Sequence, residues 1–598
     1  MSSPHHRRIE GPAVASCAAA AVLIPYLTLG LPFRTALVVQ AALILAAVLA
    51  LGAVTWSRGR RGPRLAAFVP VPLRTGLLLW AAAAALGAAV GFARGNEPRL
   101  VAGQLLAMGL LPLAAAAALP VPAPALRRPL LLGVAGATAA AAVLHLAHWA
   151  VALGQGRLVA RLYFANDVAV VGSALLALLA CGAVLLTARR GARWAAAAAV
   201  PLLLAYVVGS GVRSLWLVTP FAAGLFLAAA VPLRRWRPGR AWLLPVAVLA
   251  LLALGILATH RWWLAPRPDV LPAGAFPYQQ RPARPDLEIV AAGLAPGSTL
   301  PALRWSVGPW RSLILAEAPV RPQAFYRGRA ELRGEGTGYC LLVIDWLREN
   351  GELLGRGQGR PIFPRGRFRT AEVAAVAPSR TASARLRLTC EEGTRGRWDV
   401  RWLELHALAP AGGALAASHL EYLLARARSL RGLDPALPRV ADVSLSLRYA
   451  ESRVLVRRLR DARPGELLWG QGLGATFRPE PPEAGPGAGT AAEPVNYIHN
   501  FYLFLPFKLG AAGGLAVLTA LALFAGVPLI RLRRAAPDER VFLAVAFTAW
   551  TAYAVWAVAC PLIIDFRMAP LWGLLVAACR STPPGAAGRD TSAPGPDD

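Results

Sequence analysis

Residues 442–477 read DVSLSLRYAESRVLVRRLRDARPGELLWGQGLGATF, and residues 496–515 read NYIHNFYLFLPFKLGAAGGL. The first stretch ends a long polar segment. The second opens an apolar run at Phe501, so His499 and Asn500 stand where water-exposed chain becomes membrane chain. An imidazole at such a boundary reaches a lipid head group and a soluble substrate at once. Leu445 to Leu459 has the period of an amphipathic helix, which sets Arg448 and Glu451, three apart, on one face. From the residues alone, that spacing also fits an ordinary surface ion pair worth at most about 1 kcal/mol. The turn from Gly470 to Gly474 is too short for a nucleotide loop, and no Gly-Lys-Ser or Gly-Lys-Thr follows, which excludes a P-loop.

Working outward, 56% of the 598 residues are hydrophobic, and they fall in long runs. These predict membrane helices at 13–31, 34–55, 73–93, 99–119, 129–153, 166–187, 194–209, 214–232 and 241–259, with three more at 500–528, 541–560 and 562–579. Every second connection is basic: Arg7 and Arg8, then Arg58, Arg60 and Arg61, then Arg127 and Arg128, then Arg189, Arg190 and Arg193, then Arg234 to Arg240, and later Arg531 to Arg540. The positive-inside bias assigns these to the cytoplasm and the segment after His260 to the other side. The formal charge of +31 is accounted for by such loops and by the polar segment, and no nucleic-acid motif accompanies it, so a nucleic-acid partner is not expected. The basic N-terminus lacks a small-residue cleavage site and reads as the flank of an uncleaved first helix. No Cys-x-x-Cys or His/Cys cluster points to a metal, and no cofactor is expected.

The segment 260–498 is too long for a structureless loop. Residues 260–310 read as a linker and 311–408 as a folded unit, in which period-two stretches alternate with turn signals. Arg348–Gly351 reads as a hairpin turn. Cys340, Leu342, Ile344 and Trp346 share one face, as do Leu386, Leu388 and Cys390, which predicts an antiparallel β-sandwich. Trp346 belongs to the apolar face, whereas Trp398 and Trp402 are candidates either for the core or for stacking on sugar. Cys340 and Cys390 both point inward, and spacing alone leaves their pairing open. Residues 409–498 carry a helical stretch near 416–431, the Arg448/Glu451 helix and a Pro/Gly spacer at 478–494. The tail 581–598 has a disordered composition. The fold class is thus a polytopic α-helical membrane protein of about twelve spans with an external insertion containing an antiparallel sandwich.

Two predicted outside connections carry arginines that topology does not ask for: Arg161 in GRLVARLYFAN (156–166) and Arg213 in GSGVRS (209–214). Snorkelling to head groups accounts for such residues structurally; a cation aimed at an anionic lipid head group accounts for them functionally. Asp565 and Arg567, early in the last run, read as a pair or a polar site.

The chain resembles the O-antigen ligase/polymerase family of bacterial membrane glycosyltransferases. The resemblance rests on Arg448 and Glu451, the Gly472/Gly474 turn, and His499, Asn500, Leu503 and Gly510. It extends to Arg161 with Asn166 and Ala169, and to the turn around Arg213. There Ala165 stands where proline is usual, and Val212 and Ser214 replace serine and glycine. Residues 345–354 (DWLRENGELL), 376–388 and 398–405 also resemble jelly-roll modules of the carbohydrate-binding type. The first resemblance implies transfer of a glycan from a polyprenyl-diphosphate carrier to a lipid or polysaccharide acceptor, at the outer face of the inner (cytoplasmic) membrane. Catalytic roles would fall to His499, Arg448 and Glu451, diphosphate binding to Arg213 and Arg161, and support to Asn500, Gly472 and Gly474. No Asp-x-Asp pair stands in the outside loops to hold a divalent metal, so arginines are expected to neutralise the departing diphosphate. The alternative class is a non-enzymatic glycan transporter or sugar-binding membrane protein. A transporter should show charged or broken helices at mid-membrane, and these spans are mostly Ala, Leu and Val.

Overall fold

A computed structural model describes residues 4–28, 33–58, 69–154, 168–188, 190–210, 212–230, 269–275, 286–290, 302–307, 312–322, 324–359, 362–364, 366–378, 380–390, 394–409, 443–478 and 495–580. The span expected at 241–259, the Arg161 loop, the helical stretch near 416–431, the spacer from 479 to 494 and the tail from 581 lie outside the described residues.

The apolar runs form helices. In chain order these are α1 (Pro4–Leu27), α2 (Phe33–Arg58), α3 (Val71–Ala93), α4 (Pro98–Ala118), α5 (Ala123–Gly154), α6 (Val168–Thr187), α7 (Arg190–Gly209) and α8 (Arg213–Ala230). After the polar segment come α9 (Val443–Arg460), α10 (Pro464–Trp469), α11 (Phe501–Phe504), α12 (Gly510–Leu532), α13 (Pro537–Trp556) and α14 (Ala569–Ala578). Among the described residues, six helices are long and apolar enough to cross a membrane, and four further apolar helices are shorter. The chain is therefore a multi-pass helical membrane protein with a separate antiparallel β region.

The late helices pack among the early ones: α12 lies against α3, α14 against α4, and α13 against α8 and α6. Small residues let the backbones approach. A side chain at Gly573 would collide with Leu111 and Ala114, and one at Gly76 with the Phe524 ring. An aromatic column of Trp80, Phe524, Trp550 and Trp572, with ring centroids 4.8 to 6.5 Å apart, runs through the seam.

The last apolar run is not one continuous helix. Residues 562–579 hold a short 3-10 turn (Leu562–Ile564), a polar turn, and only then the ten residues of α14. Pro570 stands in the first turn of α14, where a proline fits a helix start, and the Asp565 carbonyl accepts the N–H groups of Met568 and Ala569 at 3.0 and 2.9 Å.

The polar segment forms the sandwich. One sheet has the order β2 (Leu287–Val290), β3 (Ala302–Val307), β10 (Arg395–Ala409), β5 (Phe325–Thr337), β8 (Arg369–Val376), with β1 (Asp269–Ala275) also on β10. The other has the order β4 (Ser312–Pro319), β9 (Ser383–Cys390), β6 (Cys340–Leu347), β7 (Leu353–Gln358). All pairings are antiparallel. The sandwich therefore reaches beyond 311–408. Strands β1 to β3 come from the stretch read as a linker, where runs of four to seven residues are too short to establish a period.

Leu342, Ile344, Trp346, Leu386 and Leu388 face Leu303, Trp305, Ala330 and Leu332 in a shared core. Arg348 and Gly351 close the β6–β7 hairpin through a 2.9 Å backbone bond. Cys340 and Cys390 are direct cross-strand neighbours and form a disulfide. Trp398 is 1% exposed and packs in this core over Gly334, so it is not a sugar platform. A bulge between Val400 and Trp402 reverses the alternation and leaves Trp402 half-buried opposite Glu331, on the face away from the core.

Candidate functional site

His499 is placed by three short-range causes. Asn500 caps α11, its side-chain oxygen accepting from Tyr502 N–H at 2.9 Å and Leu503 N–H at 3.3 Å. Phe501 N–H donates to Ala557 O at 2.9 Å, which ties the helix start to the end of α13. The Tyr497 ring stands edge-on to the imidazole, centroids 5.0 Å apart.

The fourth constraint comes from α9, which buries Glu451, Val454 and Leu455 and packs on α11 and the turn that follows it. Glu451 Oε1 accepts the backbone N–H of His499 at 2.6 Å, and Oε2 lies 2.7 Å from His499 Nδ1. A carboxylate there holds the proton on Nδ1 and leaves Nε2 as an acceptor. The carboxylate is 9% exposed and the imidazole 41%, and among the described residues nothing occupies Nε2. The arrangement is a histidine whose tautomer and orientation are fixed by a buried acid.

The same contact bears on the ion pair that the Arg448/Glu451 spacing also fits: Glu451 is turned to His499. It does not pair with Arg448, which is half-buried three residues earlier and has no hydrogen-bond or ion-pair partner among the described residues. Arg448 instead lies within electrostatic reach of Cys560, as do Asp565 and Arg567. Arg567 grips Asp565 through Nε at 2.9 Å and Nη2 at 2.7 Å. Tyr497 shares this field with Asp565, Arg567 and Cys560. Two arginines and two carboxylates thus gather at the end of the bundle where His499 sits. In the sequence Tyr497 gave no signal beyond an aromatic ring two residues before the histidine.

The Gly-x-Gly turn supports the site without binding a ligand through its backbone. Leu505–Leu509 forms a π-turn, which frees two carbonyls: Phe507 O accepts from Gln471 N–H at 2.7 Å and Lys508 O from Gly472 N–H at 3.0 Å. Leu473 N–H donates to Gly87 O at 2.8 Å and Gly474 N–H to Gln104 Oε1 at 2.7 Å. Every N–H from Gln471 to Gly474 is thereby used within the protein. Gly472 (φ 80°) and Gly474 (φ 78°) lie in the left-handed region, and a side chain at either would meet Gly91 or Val101. The buried Lys508 Nζ donates to Ala475 O, and Asn96 Nδ2 to Gln471 O and Leu473 O at 2.9 Å each.

Arg213 opens α8, and its side chain lies outside the described residues, as does all of Arg161. The backbone at Arg213 nevertheless comes to the His499 end. Trp556 Nε1 at the close of α13 donates to Ser214 Oγ at 2.9 Å, and the next residue, Ala557, holds Phe501. No group of three or more His, Cys, Asp or Glu side chains placed for a metal occurs among the described residues.

No family model and no curated protein matches the chain. Among solved structures, the chain is similar to the CBM22-1 xylan-binding domain of Paenibacillus barcinonensis, at 12% identity and a TM-score of 0.20, over 25% of this chain and 99% of that one. It is similar to the CBM22-1–GH10 modules of a Clostridium thermocellum xylanase, at 12% identity and a TM-score of 0.17, over 20% of this chain and 24% of that one. It is also similar to the enzymatically active domain of bacteriophage CBA120 tailspike protein 4, at 11% identity and a TM-score of 0.18, over 20% of this chain and 17% of that one. The chain thus spans a quarter or less of the latter two proteins, and at these scores none of the three likenesses carries an argument.

Proposed function

We propose that the chain is a membrane glycosyltransferase of the O-antigen ligase or polymerase type. It moves a glycan from a polyprenyl-diphosphate carrier to a hydroxyl of a lipid or polysaccharide acceptor, at the outer face of the cytoplasmic membrane. The reading is carried by one observation: His499, at the water–membrane boundary, is held through Nδ1 by the buried Glu451 while Nε2 is left unoccupied among the described residues.

In the proposed reaction, Nε2 takes the acceptor hydroxyl proton as the oxygen attacks the anomeric carbon of the donor. The bond from that carbon to the diphosphate breaks, and the diphosphate leaves with the electron pair. Glu451 stabilises the imidazolium that forms. Arg448, with no partner among the described residues, is suited to bidentate contact with diphosphate oxygens, joined by Arg213 and Arg161. The proposal includes about twelve spans with 260–498 outside, and the Cys340–Cys390 disulfide supports an oxidising compartment for that segment.

The test is turnover of a polyprenyl-diphosphate-linked glycan by the reconstituted full chain with candidate acceptors. His499→Ala is expected to cut turnover by about two to four orders of magnitude while donor binding holds. Turnover is expected to survive EDTA. An unchanged rate in His499→Ala overturns the base assignment.

A further inference from the structure

At the far end of the bundle from His499, α12 passes to α13 through a basic turn. The span from Phe501 to Leu532 has 32 residues. Its regular helical part, the 23 residues of α12, rises about 35 Å, enough to carry the chain from one face of a bilayer to the other. A cavity of about 410 Å3 opens at this turn, lined by Ile530, Arg531, Arg533, Arg534, Ala535 and Glu539.

Its charges are unevenly answered. Arg531 donates to the Cys579 carbonyl and to Glu539, and Arg127 donates to the same Glu539 oxygen at 2.9 Å. The single acid in the lining is therefore gripped twice. Arg533 and Arg534 are exposed, and among the described residues neither guanidinium has a hydrogen-bond or ion-pair partner. One helical turn back, Ile530 is 74% exposed beside Leu529, so an apolar lip adjoins the cationic cavity. The positive-inside bias explains arginines in this connection but not the cavity between them, and Ile530 and Leu529 set a lipid-facing edge beside it.

We propose that this cavity holds the phosphate of an anionic phospholipid head group. Arg533 and Arg534 act as the donors, and Ile530 and Leu529 lie along the acyl chain. Guanidinium forks match phosphate oxygens in pairs, and basic pockets between helices at the membrane face suit such head groups. The apolar lip favours a lipid phosphate over a soluble one. The inference rests on the membrane reading of the helices and not on the chemistry of His499.

The test uses the full chain in phosphatidylcholine nanodiscs doped with phosphatidylglycerol, reading retained lipid by native mass spectrometry. The wild type is expected to retain phosphatidylglycerol in preference to phosphatidylcholine. An arginine near an anionic surface contributes about fivefold, so Arg533→Gln with Arg534→Gln is expected to lower that preference by roughly 25-fold. Thermal unfolding in detergent should be unchanged, because neither guanidinium has a protein partner there. If the double variant fails to fold, each single variant is read for its own loss of about fivefold. Equal retention of the two lipids by the wild type, or an undiminished preference in the variants, overturns the proposal. Displacement of phosphatidylglycerol by inorganic phosphate at equal concentration overturns the lipid assignment in favour of a soluble phosphate.

Discussion

Replacing Glu451 by glutamine probes the proposed base without removing it. The two side chains have the same shape, so α9 keeps its packing and the amide oxygen keeps the backbone N–H of His499, now 2.6 Å from Oε1. The amide NH2 then faces Nδ1, where Oε2 stands at 2.7 Å. A neutral imidazole has one donor and one acceptor nitrogen, so a donor at Nδ1 moves the ring proton to Nε2. Nε2 then donates where a base must accept. The charge-assisted bond to the imidazolium is lost as well, worth about 1.5–3 kcal/mol, or a factor of roughly 13 to 160. With the tautomer change, the expected loss is about two to four orders of magnitude in turnover. The assay is formation of lipid-linked product by the reconstituted chain, with donor retention measured in parallel and expected to hold. Glu451→Gln combined with His499→Ala should be no slower than His499→Ala, since groups acting as a unit are not additive. A Glu451→Gln enzyme at close to the parent rate, beside an inactive His499→Ala, would refute the argument and reduce Glu451 to a tether.

Three further predictions concern the rest of the chain. Trp398→Ala empties a site that is 1% exposed and should cost the sandwich about 3–5 kcal/mol, whereas Trp402→Ala, at a half-buried position outside the core, should cost about 1–2 kcal/mol; thermal circular dichroism of residues 269–409 separates the two. Reducing Cys340–Cys390, 50 residues apart, should lower the melting temperature of that unit by an amount corresponding to about 4 kcal/mol on the loop-entropy account, and an unchanged melting temperature contradicts it. Single cysteines placed within 260–498 should react with an impermeant outside reagent and cysteines at 58–61 should not; the opposite pattern overturns the orientation.

The parts of the fold governed by local period were legible in the sequence. Apolar runs marked the membrane helices, and the alternation in 340–346 and 386–390 marked the sandwich faces as they stand. The parts governed by contacts distant along the chain were not. Arg448 and Glu451 share a helix face, but nothing local says that the acid turns to a histidine 48 residues on. Trp398 and Trp402 look alike as symbols, and a single bulge sends them to different faces. Hydropathy averaged over 562–579 gave no sign of the Asp565–Arg567 turn, so the ten-residue α14 was not told apart from a continuous helix.

The placement of Glu451 has a consequence for how such a chain tolerates change. The acid and the histidine it orients both lie on the return leg, after the sandwich and before the next membrane helix. The chain is pinned again where Phe477 and Val495 exchange backbone bonds at 3.0 and 2.9 Å. None of the described strands of the sandwich, from β1 to β10, supplies a partner to Glu451 or His499. The residues that set the pair at the membrane edge are thus separate from those that set the sandwich faces, and exchange of β1 to β10 for another fold is expected to change what the protein presents to its surroundings while the Glu451–His499 contact is kept.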